Sequence, residues 1–470
     1  MCGRETLVPV LYSGLPAVRP AGSWAVETPD KLPIVTTKLV DVPEYLSTAP
    51  TRGTRDFLPA EMSVRTQVFG HLYDVIERYG FLRYDGPILE PAEIYELKSG
   101  QEIADQQLYT LTDKGGRRLA LRPEMTPSVA RMIAGTAKSL QFPVRWYSHP
   151  NCHRYEKPQR GRVREHWQIN VDIFGSESSN TEIEIFELIH DMMEELGASK
   201  DMFEIRANDR NLLASALTDI VGVGPLQLPE VFALVDRWEK YPVEKLAASA
   251  EEIGLADKQF EKLTEILASG EALLDELPES VKEASNLVQV LKTSAAGLIR
   301  FDPMIVRGLA YYTSTVFEVF DTSPENRRAL FGGGAYSDLA GMFTAQKIPG
   351  IGFGMGDVTL MDFLETHGLA PAPRSEVDVV VVPTAEELSD AAREVAGKLR
   401  KAGLRTSTPL ELRKLGKELA RADKAGARAV VIVGQEDWDA GNVTVRSLAT
   451  RAQQQVSLDE TAATVLALLA

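Results

Sequence analysis

Apolar positions along the first part of the chain change period several times. From Met62 to Tyr79 they fall at Val64, Val68, Leu72, Val75, Ile76 and Tyr79, a helical spacing that Gly80 ends. "FLRYDGPILEP" then reads as a strand broken at a proline. Strand-like runs return at "RLALRPEMT", "VRWYSHPNCHRYE", "REHWQINVDIFG", "STVFEVFD" and "GIGFGM", with a helix from Asn180 to Leu196 among them. In "HWQINVDIF", Gln168, Asn170 and Asp172 recur at period two and share one sheet face, while Trp167, Ile169, Val171 and Ile173 take the other. Non-adjacent strands with no repeating βαβ period predict a mostly antiparallel sheet with helices around it, an α+β architecture.

Two later stretches break this pattern. From about Leu212 to Arg300 the chain is polar and helical with no strand signal, and it reads as a small helical insertion in the unit spanning 51–370. After "LAPAPRSE" the pattern turns α/β over 375–470. "VDVVVVP" and "ARAVVIVG" are buried-strand runs, "LRTSTP" is a short strand, and "LRKLGKELARADKAG" is a basic helix. Thr384 with Glu387, and Ser457 with Glu460, have the spacing of capping boxes. Residues 1–50, rich in Pro and Gly and without a period, read as an irregular N-terminal arm. They lack the apolar core of a secretory signal and the Arg/Ser richness of a transit peptide.

Composition is that of an ordinary soluble globular protein, with 44% hydrophobic and 25% charged residues in 470. No apolar run reaches the roughly 18 residues of a membrane span. Two cysteines, Cys2 and Cys152, cannot build a disulfide framework or a zinc cluster, which suits a reducing cytoplasm. A net charge of -16 excludes a protein that coats nucleic acid with its whole surface, but not one with local basic patches.

Such patches exist. Arg154 to Arg164 carries five basic residues and one acid, Glu156, around Gly161. Arginine's planar fork donates two hydrogen bonds to one phosphate, so this loop is either a solvated hairpin tip or an anion site. Arg154 and Glu156, two apart, are read on a strand and therefore on one face. In "LRPEMTPSVAR", Glu124 is a carboxylate able to receive an ammonium group, and Thr126 before Pro127 reads as a helix cap. "RGLAYYTSTVFEVF" sets Arg307 ahead of a strand that is read as carrying Tyr311 and Tyr312, and "ALFGGGAYSDL" follows with Gly332 to Gly334 between strand-like segments. Glycine in such a place lets a ligand come close to the backbone.

Together these stretches resemble the histidine–tRNA ligase family of class II aminoacyl-tRNA synthetases. "RGLAYYTSTVFE" and "FGGGAYSDL" look like its two histidine signatures, and "CHRYEKPQRGRVREHWQINVDIFG" is similar to class II motif 2. "FGHLYDVIERYGFLRYDGPILEP" is similar to motif 1, which builds the dimer interface, and "IPGIGFGMGDVTL" sits where motif 3 belongs. The C-terminal unit looks like the family's anticodon-binding domain. The resemblance implies a six-stranded antiparallel sheet in a homodimer that joins L-histidine to ATP, with Mg²⁺, and passes the histidyl group to histidine tRNA. It assigns Glu124 and Thr126 to the α-ammonium, Gln168 and Asp172 to the amino-acid pocket, and Tyr311, Tyr312 and Tyr336 to the imidazole. Arg154 falls on the carboxylate and α-phosphate, Glu156 and Arg162 on ATP, Gln159 and Arg160 on the tRNA acceptor end, and Arg307 on the transition state. No side-chain motif for a metal is present. Between Lys398 and Arg428 ten Lys/Arg face three Asp/Glu, a balance suited to phosphate contacts.

The chain departs from the family pattern in three places. Thr359 stands where motif 3 usually has an adenine-stacking arginine, Ala310 where many relatives have an acid, and Asp172 where glutamate is more common. The competing expectation is a non-catalytic, synthetase-like regulatory subunit of histidine biosynthesis. Such subunits have eroded signatures and lack the C-terminal domain.

Overall fold

The computed structural model describes residues 47–97, 106–307, 311–326 and 328–469. The predicted arm lies almost wholly outside these, as do Cys2 and Ala310. All elements below belong to the unit that begins at Pro50.

The predicted first helix runs Pro59–Arg78, three residues earlier than its apolar period begins. Pro59 is preset for the first turn, and the Leu58 N–H donates to the Glu61 carboxylate (3.0 Å). The first strands are β1 (Leu82–Arg83), β2 (Leu89–Pro91), β3 (Tyr109–Thr112) and β4 (Arg118–Leu121), of which β2, β4 and β3 form a small separate sheet. Next come β5 (Val144–Ser148), β6 (Asn151–His153), β7 (Glu165–Phe174), β8 (Phe203–Asp209), β9 (Arg300–Phe301), β10 (Thr315–Asp321), β11 (Ala329–Tyr336) and β12 (Gly350–Gly356).

The main sheet has the order β1-β5-β7-β12-β11-β10-β8-β9, with β6 paired to β7. Its six central strands, β5 to β8 in that order, pair antiparallel throughout. Only the two-residue strands at either end, β1 and β9, join parallel. The expected six-stranded antiparallel sheet is therefore present with short parallel additions. Two of its members escaped the periodicity. β8, in "FEIRAND", is too charged to read as a strand, and the glycine triplet lies inside β11 rather than between strands.

One face of this sheet is the core. Ile169, Val171 and Ile173 of β7 pack with Phe317, Phe353 and Met355 beneath the Pro59–Arg78 and Ser179–Glu195 helices. Burying each such side chain stabilises the fold by about 1.5–3 kcal/mol. Between β8 and β9, from Arg210 to Leu298, every regular element among the described residues is helical, as expected.

A buried ionic knot joins three segments to the start of the Asp357–Thr366 helix. The Asp357 carboxylate, fully buried, accepts from Arg55 (2.9 Å), Arg65 (2.6 Å) and the Trp167 backbone N–H (3.0 Å). The Arg65 guanidinium lies 4.1 Å over the Phe57 ring and 5.2 Å over Trp167, so its charge is matched on all sides.

The C-terminal residues form a second, mixed sheet of β13 (Val379–Pro383), β14 (Thr406–Ser407), β15 (Ala429–Val433), β16 (Asn442–Ser447) and β17 (Gln453–Ser457). Ser457 and Glu460 exchange hydrogen bonds ahead of the Thr461–Leu469 helix, as their spacing predicts. Thr384 does not cap: its hydroxyl donates to Val433 O on the neighbouring strand (3.3 Å), and the helix begins at Ser389. All ten Lys/Arg between 398 and 428 are exposed, and one of the three acids, Glu418, is buried.

Candidate active site

The second face of the main sheet is built differently. Pleating puts Gln168, Asn170 and Asp172 of β7 on it, opposite Gly356, Gly354 and Gly352 of β12. Gly354 and Gly352 in turn pair with Gly332 and Gly334 of β11, and Gly332 pairs with Glu318 of β10. Every β12 position on this face is glycine, while Ile351, Phe353 and Met355 fill the core behind.

The glycines make room for side chains lying flat. A Cβ on Gly332 would sit 2.5 Å from Arg307 Nη1, and one on Gly334 would sit 2.7 Å from the Tyr312 ring. Tyr336 lies over Gly350, Asp172 against Gly352 and Gln168 over Gly354 in the same way. Five of the sequence-predicted residues thus rest on one side-chain-free strip.

Above the strip is a cavity of about 410 Å³. It gathers Glu124, Thr126, Arg154, Glu156, Arg162, Gln168, Asp172, Arg307, Tyr311, Tyr312 and Tyr336 from seven separate stretches of chain into one lining. Gln159 and Arg160 are not part of it. Gln159 pairs through its backbone with Arg162 across the turn at Gly161. Arg160 is exposed and held by Asp362 (2.9 and 3.0 Å) and Asn326 (3.0 Å).

Local readings need correction at three points. Arg154 and Glu156 are not on a strand: β6 ends at His153, and the Glu156 N–H turns back to Arg154 O (2.7 Å). They share the cavity because of this turn, not because of pleating. Thr126 is the first residue of the Thr126–Thr136 helix, and no side chain caps that helix. Tyr311 and Tyr312 precede β10 rather than lie in it.

Individual partners define the chemistry. The Tyr311 hydroxyl donates to Glu124 Oε2 (3.0 Å), and the Tyr336 hydroxyl to Asp172 Oδ1 (2.9 Å). Asp172 Oδ2 is buried and accepts no hydrogen bond from the described residues. Burial pushes the Asp172 carboxyl up to about 7, and the Tyr336 hydrogen bond only partly opposes that. The Arg154 Nε–H donates to Pro123 O (2.9 Å), which aims the rest of its fork into the cavity. Arg307 Nη1 donates to Glu318 Oε1 (2.8 Å). Burial alone would lower the Arg307 pKa, but Tyr312 and Glu318 outweigh it, and the group stays charged. Its backbone has φ +54, a left-handed conformation that costs a non-glycine residue of order 1–3 kcal/mol and is held only where surroundings enforce it. Thr359 sends its hydroxyl to Leu330 O (2.5 Å), so the motif 3 position carries no cation.

Several lining residues had no sequence assignment: Gln107, His166, Asp236, Lys240 and Glu318. Carrying the period-two register of β7 back one step would have found His166, which burial and then Arg154 push down to about 3, leaving it neutral. Glu318, an acid inside an aromatic strand, was visible as an oddity. Asp236 and Lys240 come from the turn that follows the Leu228–Val235 helix of the insertion, where polar residues are unremarkable.

A six-stranded antiparallel sheet with a polar cavity on one face and helices on the other is the fold of the class II aminoacyl-tRNA synthetases. Comparison with known proteins narrows it. The family profile described as histidyl-tRNA synthetase matches residues 53–358, and the anticodon binding domain profile matches 378–468. Histidine–tRNA ligase of Leptospira biflexa is 40% identical over 424 residues, 89% of this chain and 97% of that protein. The chloroplastic/mitochondrial histidine–tRNA ligase of Arabidopsis thaliana is 34% identical, over 91% and 88%. The crystal structure of histidyl-tRNA synthetase from Nostoc sp. PCC 7120 superposes with a TM-score of 0.75 at 26% identity, covering 90% of this chain and all of that one. The chain belongs to the histidyl-tRNA synthetase family.

The buried carboxyl makes a stability prediction. Unfolded, Asp172 titrates near 3.8; folded, near 7. Between those values the folded state holds the extra proton, so stability falls as pH rises from about 4 to 7 and stays lowered above. Asp172→Asn removes that dependence. Its melting temperature should gain on the wild type from pH 4 to about pH 7 and level off above, and parallel profiles would refute the buried, ionisable Asp172.

Proposed function

We propose that this chain charges transfer RNA with histidine in two steps on the glycine-floored face, with the residue roles given below. Family membership supports the activity and its substrates: histidine, ATP and tRNA. The observation that carries the site assignment is the convergence of Arg154, Arg162 and Arg307 with a tyrosine-walled acidic pocket in one cavity.

In the first step a histidine carboxylate oxygen attacks the α-phosphorus of ATP. A P–O bond forms as the bond to the β-phosphate breaks, and pyrophosphate leaves. The substrate supplies its own nucleophile, so the protein needs only to position and to stabilise charge. Glu124 and Thr126 receive the α-ammonium. Asp172, with its free Oδ2, accepts the imidazole N–H beside Gln168, Tyr311, Tyr312 and Tyr336. Arg154 aligns carboxylate with α-phosphate, and Glu156 and Arg162 meet the nucleotide. Arg307 is fixed over Gly332, so it stabilises charge as it develops without first reorganising. In the second step the terminal ribose hydroxyl of the tRNA attacks the acyl carbon and AMP leaves. Gln159 and Arg160, outside the cavity, meet the acceptor end in this reading. The exposed basic stretch from Lys398 to Arg428 suits the tRNA backbone, within an anticodon-binding unit over 375–470.

Among the described residues no group of three or more His, Cys, Asp or Glu could hold a metal. Mg²⁺ would arrive on the ATP phosphates and neutralise their charge, and Glu156, whose Oε2 lies 3.4 Å from Arg162, would reach it only on giving up that pair. The regulatory-subunit reading is disfavoured by the gathering of Arg154, Arg162, Arg307 and the tyrosines in one cavity and by the anticodon-binding profile.

The activity is tested by ATP–pyrophosphate exchange with each of the twenty amino acids. Histidine alone should support exchange, and Arg307→Ala should slow it by on the order of a thousandfold, as lost transition-state stabilisation does. A near wild-type rate in that variant would remove Arg307 from the transition state.

We further propose a homodimer in the cytoplasm. Leu82 (67%), Leu89 (39%) and Leu111 (42%), in and after the motif 1 stretch, are exposed apolar side chains that a second copy would cover. Sedimentation should give a dimer that Leu82→Asp with Leu111→Asp converts to monomer, and a wild-type monomer would contradict it. Recovery of the native protein in a membrane or secreted fraction would contradict the location; no helix among the described residues is long and apolar enough to cross a membrane.

A further inference from the structure

The cavity holds more positive charge than the family motifs account for. Lys240, from the helical insertion, lines it alongside Arg154, Arg162 and Arg307. Its ammonium donates to Asp236 Oδ2 at 2.8 Å, and Asp236 also lines the cavity.

That arrangement is repeated within the same walls. Arg162 is 3.4 Å from Glu156, and Arg307 is 2.8 Å from Glu318. In all three pairs both members line the cavity. A carboxylate beside a cation orients it while no ligand is bound, and a polyanion competes for the same charge. Lys240 is the mobile member of the set. Its side chain is 62% exposed and rides on a flexible stem, whereas Arg307 is laid down on Gly332. The segment carrying it is tied to the sheet. Glu239 lies 3.7 Å from Arg206 of β8, and Arg206 is directly opposite Glu318 in the strand register. Lys240 therefore stands at the Arg307 end of the site, where a triphosphate crossing from Arg162 needs a further cation.

We propose that Lys240 is a fourth phosphate-binding cation of this site, which exchanges Asp236 for the β- and γ-phosphates of ATP and for free pyrophosphate, and so couples the inserted helices to nucleotide occupancy. The proposal rests on the ATP reading above. The nucleotide is preferred to the tRNA end as the partner because Lys240 faces the same cavity as the three arginines, while Arg160 of the basic loop stands outside it.

The test is ATP–pyrophosphate exchange by the full chain carrying Lys240→Met, with wild type beside it. KM for ATP and for pyrophosphate should each rise on the order of tenfold, the loss expected for one solvent-accessible charged hydrogen bond. KM for histidine and the melting temperature should stay unchanged. Lys240→Arg should recover much of the loss, and Asp236→Asn, which removes the competitor, should lower KM for ATP. Unchanged KM values for ATP and pyrophosphate would overturn the proposal, as would a defect seen only in KM for tRNA. A wild-type chain without exchange would remove the ATP reading itself, and this proposal with it.

Discussion

On one face of its central strand the protein gives up side chains altogether. Gly350, Gly352, Gly354 and Gly356 alternate with Ile351, Phe353 and Met355, so one strand is all backbone toward the cavity and all hydrocarbon toward the core. Glycine weakens an isolated strand because it packs nothing and loses more entropy on ordering. Here antiparallel neighbours bond β12 on both sides, and burial of the apolar alternates offsets the cost. What the fold gains is a flat floor. Arg307, Tyr312, Tyr336, Asp172 and Gln168 lie on it, and a Cβ at any of the glycines beneath them would collide with one of these side chains. The positions of Asp172 with its tyrosines and of Arg307 both follow from that strip.

The floor is useful only if its edges are held in register. Asp357 does this at one end, because it follows Gly356 directly and binds the Trp167 backbone, Arg55 and Arg65 together. Breaking one arm of a buried ion network leaves a charge uncompensated, a larger loss than the pair's net stabilisation. At the other end Glu318 holds the Arg307 guanidinium over Gly332. Charge inside the cavity is thus distributed as neighbouring opposites, an arrangement that keeps several cations close together before a polyanion arrives.

Much of this could be read from the chain alone, for physical reasons that differ by residue. Strict alternation in β7 put Gln168 and Asp172 on one face because pleating leaves no choice. The first helix and the buried-strand runs of the C-terminal sheet were equally plain. The glycine triplet misled, because glycine signals loops on average, and only pairing with β10 and β12 makes it strand. β8 was hidden by its charged outer positions, and Thr384 by a cap spacing that the neighbouring strand's carbonyl outcompeted. Lys240 and Asp236 had no local signal, since their role depends on where the insertion folds back. The resemblance supplied the roles of Arg154 and Arg307, but nothing in it pointed to Glu318 or His166 as their neighbours.

The most direct test of the glycine floor is a crystal structure of the chain with a non-hydrolysable histidyl-adenylate analogue whose acyl-phosphate is replaced by a sulfamate. The account predicts the imidazole beside Asp172 and the tyrosines, and the sulfamate lying across Gly332 and Gly354 within hydrogen-bond reach of Arg154 and Arg307. A ligand bound away from the strip, with Arg307 still on Glu318 and no closer to the sulfamate, would contradict it.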